Sequence, residues 1–311
     1  MNEFDVVVIG GAAAGLSAAL VLSRARRTVL VVDSGAPRNA PARHMHGFLS
    51  RDGLPPADLL AAGRQEVTGY GGRVVAGTVT EVTAGGSAGF HLLFADGSRV
   101  SARRLLLATG LEDELPDIPG LADRWGRDVL HCPYCHGYEV RDRRLAVLGW
   151  IPGAVRYAQI VRQWSRDVVY LTAGEPITAA DRGQLVARNI GVVDDSVSRV
   201  LVDGDRLTGL RTGGGRTVSC DAVFVPPRFR PHNALLGRLD AHIDQDGWVT
   251  TGPTGRTSVP GLWVAGNVAN PRAQVITAAG EGSAAAIDIN ADLVDDDVRQ
   301  AVRDANHGLL V

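Results

Sequence analysis

The sequence contains no lysine: all 32 of its basic residues are arginine. Schiff-base chemistry, and a phosphate loop that sets lysine on its ligand, are therefore excluded. Cysteine is scarce, with only Cys132, Cys135 and Cys220, which excludes a disulfide-stapled secreted scaffold. An excess of one charge is also missing. The 32 basic residues face 34 acidic ones, a formal net charge of -2, so no broad basic field recruits nucleic acid or an anionic membrane. No uninterrupted apolar run reaches the ~18 residues of a membrane span. The opening MNEFDVVVIGGAAAG carries Asp5, has no basic leader segment, and meets a glycine turn instead of a cleavage site. The expectation is a cytoplasmic protein with neither nucleic-acid nor membrane partners.

What is present suits two globular domains. The chain has 311 residues, 45% of them hydrophobic, with 38 glycines, and ~150 residues per domain is an ordinary size. Phe4 to Ile9 is a short β-branched apolar run that ends in Gly10, Gly11 and Gly15. An Ala/Leu-rich stretch to about Ser23 and a second apolar run, Thr28 to Val32, follow. This is strand, turn, helix and strand. Asp33 closes the second strand 23 residues after Gly10, where a dinucleotide fold places the acid that holds a ribose hydroxyl. A tight turn in an unrelated α/β domain would explain the glycines but not the spacing of the acid. One departure stands out: the middle glycine of the G-x-G-x-x-G pattern is Ala12.

The pattern then recurs in weakened form. Leu105 to Gly110 (LLLATG) reads as a buried strand entering a small-residue turn, and the proline-punctuated Leu115 to Gly120 marks a boundary. Leu145 to Gly149 opens a second strand-turn-helix unit, with Val168 to Leu171 as its next strand. In its turn, however, Ile151 stands where a pyrophosphate needs bare backbone, with Trp150 beside it. Thr172, Ala173 and Gly174 follow, offering neither an acid for a ribose diol nor arginines for a 2′-phosphate. The second nucleotide site reads as decayed. Near the end, SVPGLWVAGN (Ser258 to Asn267) is a strand into a glycine turn, and Gln274 to Ile289 is a small-residue helix. Those small residues fit either close approach to a flat ligand or tight helix packing.

Between the two units lies HCPYCHGYEV, His131 to Val140. A Cys-x-x-Cys in such a chain is a redox dithiol first. Zinc is a poor alternative, because cysteines and histidines adjacent in sequence cannot wrap a tetrahedron. No metal is expected. The Cys-Pro-Tyr-Cys of small glutaredoxins opens a thioredoxin fold near its start, whereas this one lies about 130 residues in. Cys220, between strand-like segments, reads as a buried inert thiol. His44 and His46 read equally well as surface residues.

Taken in order, the first glycine turn with Asp33, the ATG at Ala108 to Gly110, the central Cys-x-x-Cys and SVPGLWVAGN with QVITAAGEG resemble the low-molecular-weight thioredoxin reductase family of FAD flavoproteins. The resemblance runs nearly the whole chain. It implies an α/β fold of two Rossmann-like, three-layer ββα nucleotide-binding domains. The first, FAD-binding and discontinuous, would cover residues 1–112 and 242–311. The second, NADPH-domain-like and inserted, would cover 113–241 and carry the dithiol. It further implies FAD contacts at Gly10, Ala12, Ala14, Gly15, Asp33, Arg38, Asn39, His46, Ala108, Thr109, Gly110, Gly266, Asn267, Gln274 and Val275. A homodimer is implied as well.

Three departures narrow the resemblance. His136 replaces the acidic proton donor after the second cysteine, the arginine-rich NADPH signature is missing after Leu171, and the aspartate of the terminal AGD motif is Asn267. With PRNAPARHMHGFLSRDG (Pro37 to Gly53), these features resemble the branch of the gliotoxin and holomycin dithiol oxidases. That branch closes disulfides in small molecules and passes electrons from FAD to O2, giving H2O2. By resemblance, Cys132 is the exchanging sulfur, Cys135 faces the flavin, and His136, with His131, moves protons. A histidinium beside the pair would also lower the cysteine pKa. His131 reads equally as a solvated hinge residue. The alternatives are an NADPH-dependent disulfide reductase, a ferredoxin-fed or otherwise donor-fed thioredoxin reductase, and a non-catalytic flavin-binding or redox-sensing module.

Overall fold

The computed structural model describes residues 2–86 and 89–308. Met1 and residues 309–311, at the ends of the expected first domain, lie outside them. The first strand, Asn2–Ile9, is parallel to Val29–Asp33 on one side and to Arg99–Leu107 on the other, and Arg73–Ala76 extends the sheet beyond Val29–Asp33. Arg99–Leu107 is shared lengthwise: its first half pairs antiparallel with Phe90–Phe94, its second half parallel with Leu262–Val264. A strand from near the chain's end thus completes the sheet begun at its start. The apolar run in the first strand has no polar alternation because both faces are covered. Val7 and Ile9 pack on one side with Leu30, Val32 and Phe90, and Val6 and Val8 on the other with Leu16, Leu22 and Trp263.

The helix Ala13–Arg24 lies against the carboxy-terminal helix Val275–Gly308. A Cβ at Gly282 would stand 2.0 Å from the carbonyl oxygen of Ala14. The small residues of the final helix therefore serve tight helix packing. That helix runs well past Ile289, where the apolar pattern fades. Its extension is held by charge: Asp292 takes Arg104 at 2.5 Å and Arg256 at 3.0 Å, and Asp297 takes Arg103 and Arg27 at 2.5 and 2.8 Å. Among the described residues, no helix is long and apolar enough to cross a membrane.

The second unit centres on five parallel strands, in the order Ile190–Val193, Val168–Leu171, Leu145–Leu148, Ala222–Phe224 and Val129–Leu130. A three-stranded antiparallel sheet (Val197–Asp203, Arg206–Thr212, Thr217–Ser219) accompanies it. The chain passes between the two units along an antiparallel ribbon, Leu111–Glu114 against Arg228–Pro231. The short helix Ala234–Arg238, which the sequence reading puts in the insert, packs Leu236 into the first unit's core, followed there by Leu239 and Ala241. The return crossing thus falls at the ribbon, ahead of residue 241.

Candidate active site

The glycine turn after the first strand is forced by crowding. Gly10 has φ +109°, and a Cβ there would stand 2.2 Å from the carbonyl oxygen of Ala108; a Cβ on Gly15 would stand 1.8 Å from that of Gly10. Ala12 is different. It caps the helix at φ -93°, a conformation any residue adopts, so the missing middle glycine costs the backbone nothing. No side chain caps the free N–H groups of this helix, and its positive end is open to an anion. Asp33 accepts from the backbone N–H of Gly11 at 3.3 Å and of Gly35 at 3.2 Å, and pairs with Arg64 at 2.7 Å.

A cavity of about 310 Å³ opens over this turn, within the ordinary range for small-molecule sites. Every residue expected at the site lines it except Gly15, whose place is in the packing beneath. A second cavity of about 410 Å³, bordered by Gly77, Thr78 and Val79, shares Gly10, Ser34, Thr109 and His232 with the first. The two lobes meeting over Gly10 suit an elongated, two-part ligand. With the open helix end and the ribose acid, the residues fit FAD.

His232 was invisible to motif reading. Its backbone N–H donates to the Gly110 carbonyl at 3.0 Å, its ring nitrogen meets the Thr109 carbonyl at 3.0 Å, and the Thr109 hydroxyl donates to the His232 carbonyl at 2.8 Å. This staples the ATG turn to a loop more than 120 residues away, and no local signal announces it. Arg64, the partner of Asp33, was missed for the same reason.

The dithiol sits on one helical turn, Pro133–His136, with Cys132 at its amino-terminal cap and proline at the first position, where its missing N–H is harmless. Tyr134, between the cysteines, is 65% exposed and lies edge-on to Trp164 at 5.3 Å. The tyrosine thus points outward, while both cysteines line the cavity. The Cys135 thiol hydrogen-bonds to Cys132. That bond, the backbone N–H groups of Cys135 and Tyr134, and the Gln274 amide outweigh burial and pull Cys132 down to about 7. Cys135 is driven well above the ordinary thiol range by the same bond and by burial. The negative charge of the reduced pair therefore rests on Cys132, whereas the resemblance gives the flavin-facing thiolate to Cys135.

His131 does not supply the expected histidinium. Burial, reinforced by the Arg38 charge, pushes His131 down to about 4, and burial lowers His136 against the pull of Glu139. His131 is therefore neutral at pH 7, and hydrogen bonding, not a neighbouring cation, lowers the Cys132 pKa. The Tyr157 hydroxyl donates to the His131 carbonyl. His46 stands between two carboxylates, Asp52 at 3.3 Å and Glu139 at 3.5 Å, and His44 meets the Gly53 carbonyl at 3.0 Å. Cys220 is fully buried and pushed up to about 12 by desolvation, an inert thiol. No three His, Cys, Asp or Glu side chains among the described residues converge to hold a metal.

Arg38 joins several parts of the site. It grips Asp113 through two bonds, at 2.8 and 2.7 Å, and donates to Asn267 Oδ1 at 3.2 Å. Its guanidinium lies 5.3 Å from the ring centre of Phe229. The Asn267 amide nitrogen donates to the carbonyls of Asn270 and Ala273 at 2.9 and 3.0 Å. An aspartate cannot make these two bonds, which accounts for asparagine at the position of the family's acid.

The second glycine turn is bordered by Tyr170 and Trp150. A Cβ on Gly149 would stand 2.1 Å from the Tyr170 hydroxyl. Trp150 is fixed by its N–H to the Pro226 carbonyl at 2.8 Å, with Arg228 over its ring at 4.6 Å.

Comparison with known proteins agrees with this geometry. Residues 4–282 match the family model described as pyridine nucleotide-disulphide oxidoreductase. Thioredoxin reductase sirT of Leptosphaeria maculans is 32% identical over 309 residues, covering 92% of this chain and 93% of that protein. Thioredoxin reductase aclD of Aspergillus oryzae is 29% identical, covering 94% and 98%. Among solved structures, that of HlmI superposes with a TM-score of 0.96 at 52% identity, covering 99% of this chain and 98% of that one. The putative thioredoxin reductase TrxB of Bacillus anthracis gives 0.90 at 31%, covering 94% and 99%. The thioredoxin reductase-like fold, and a flavin-dependent disulfide oxidoreductase, are thereby shown. This chain belongs to the pyridine nucleotide-disulphide oxidoreductase family.

Proposed function

We propose that the chain is an FAD-dependent thiol oxidase that closes a disulfide in a small-molecule dithiol, with O2 as acceptor and H2O2 as product. The observation that carries this reading is a contrast. The first glycine turn lines a cavity that it shares with both cysteines, whereas the second carries Trp150 and Ile151, with Trp150 tied to the Pro226 carbonyl. On this reading the nicotinamide site has decayed and electrons enter through the dithiol. FAD, held by the Gly10 turn, Asp33 and the residues around Asn267, would supply a two-electron acceptor beside that dithiol.

The chain's own residues perform thiol exchange. A substrate thiolate attacks Cys132 Sγ of the oxidised pair; the S–S bond breaks, and Cys135 leaves and takes up the proton it carries here. The second substrate thiol, deprotonated, attacks the substrate sulfur of the mixed disulfide. Cys132 then departs as thiolate, and its low pKa makes it a good leaving group. His136, in its uncharged form, accepts the substrate proton, since an imidazole accepts only when neutral. One substrate disulfide forms, and the enzyme pair is left reduced.

The same reading places the protein in the cytoplasm as a homodimer. Supporting the dimer, Ile287, Val294, Val298 and Val302 are exposed along one side of the final helix. A second reading, an NADPH- or ferredoxin-dependent thioredoxin or disulfide reductase, is favoured by the names of the relatives. Anaerobic absorbance of the flavin band separates the two. Bleaching by dithiothreitol but not by NADPH, with colour restored by air and peroxide formed, supports the oxidase. Bleaching by NADPH within seconds overturns it.

A further inference from the structure

We propose that Arg38 is the latch that holds the dithiol unit against the first unit, so that only small thiols, and not the surface of a folded protein, reach Cys132. This deepens the oxidase reading, on which its substrate class rests. Among the described residues, the chain crosses between the two units along the ribbon Leu111–Glu114 and Arg228–Pro231, and such a ribbon is the natural place for one unit to turn against the other. Arg38 belongs to the first unit and holds both of its strands. Asp113 on one strand takes the two-pronged ion pair, and Phe229 on the other lies under the guanidinium. Asp113 is only 8% exposed and Arg38 24%, so water screens the pair far less than a surface bridge. Phe229 in turn meets the His131 ring at 5.3 Å, and His131 precedes Cys132. The grip thus runs from Arg38 through the ribbon to the dithiol.

Two further contacts close the mouth of the cleft. His46 of the first unit faces Glu139, four residues after Cys135, at 3.5 Å. A Cβ on Gly126 would come 2.8 Å from the Pro41 side chain, so the units touch there almost backbone to backbone. With Tyr134 outward and both cysteines on the cavity wall, the latched conformation excludes a protein surface.

The test uses the reduced protein and two maleimides of the same reactivity, N-ethylmaleimide and a maleimide on a polyethylene glycol of several kilodaltons. Modification of Cys132 is followed by mass spectrometry. In the wild type the bulky reagent reacts about tenfold or more slowly than the small one, once their rates on free cysteine are normalised. Arg38→Met brings the two rates together, Arg38→Lys only partly, and Asp113→Asn repeats the effect from the other side of the pair. Equal rates in the wild type, or an unchanged ratio in Arg38→Met that still unfolds cooperatively, overturn the latch. Dithiothreitol bleaching in the same preparation reports separately. A bleachable protein open to the bulky reagent loses the latch alone, and an unbleachable protein that excludes it keeps the latch and loses the oxidase reading.

Discussion

Removing one thiol should change the chemistry of the other. Cys135→Ala takes away the S–H group whose hydrogen bond is the largest influence lowering the Cys132 pKa. At about 7, against 9.0 for an ordinary thiol, Cys132 is about half thiolate at pH 7, where an unperturbed thiol would be about 1%. Nucleophilicity per thiolate falls with pKa along a Brønsted slope of ~0.4–0.5, about eightfold over this shift. The net advantage at pH 7 is therefore about sixfold. Because the pKa is depressed, the reactive form persists as the pH falls until about 7, and below that the rate drops about tenfold per pH unit. The assay is iodoacetamide alkylation of the reduced protein from about pH 5.5 to 10, resolved by peptide. Cys220, buried and held near 12, serves as an internal control. In Cys135→Ala the half-point of Cys132 should move toward 9.0. A wild-type half-point already near 9.0, or one that does not rise in the variant, would refute the assignment of charge to Cys132.

Four further outcomes follow from the same geometry. The His131 ring should remain neutral from pH 8 to about 5 and titrate only near 4; histidine NMR with a half-point near ~6.5 would contradict the burial argument. Arg38→Met should raise that half-point by removing a nearby charge of the same sign. Asn267→Asp loses the bonds to the Asn270 and Ala273 carbonyls, costing about 2 kcal/mol and about 4 °C in Tm, and an unchanged melting curve would count against it. Gly15→Ala puts a methyl carbon 1.8 Å from the Gly10 oxygen. It should cost about 3 kcal/mol or more and strip the flavin band, so a yellow, equally stable variant would show that the turn can yield.

The two units, the first glycine turn, Asp33 and the redox pair are legible in the chain, because each depends on residues close in sequence. A β-branched run, a glycine without a Cβ and two cysteines three residues apart constrain the backbone wherever they occur. The length of the last helix was not legible: its extension is held by Arg27, Arg103, Arg104 and Arg256 from elsewhere, and a run of aspartates gives no apolar period to read. The low pKa of His131 was not legible either, because a sequence shows a histidine's neighbours but not its burial.

The sequence by itself determined which chemistry the protein carries, a dinucleotide turn and a dithiol, because those functions depend on particular atoms at short spacing. Only the tertiary structure decided where the charge sits within that dithiol and how the dithiol is held. Protonation depends on desolvation and on partners such as Gln274, and the Arg38 grip joins residues 75 and 229 positions apart. Such pairings exist only once the chain has folded back on itself.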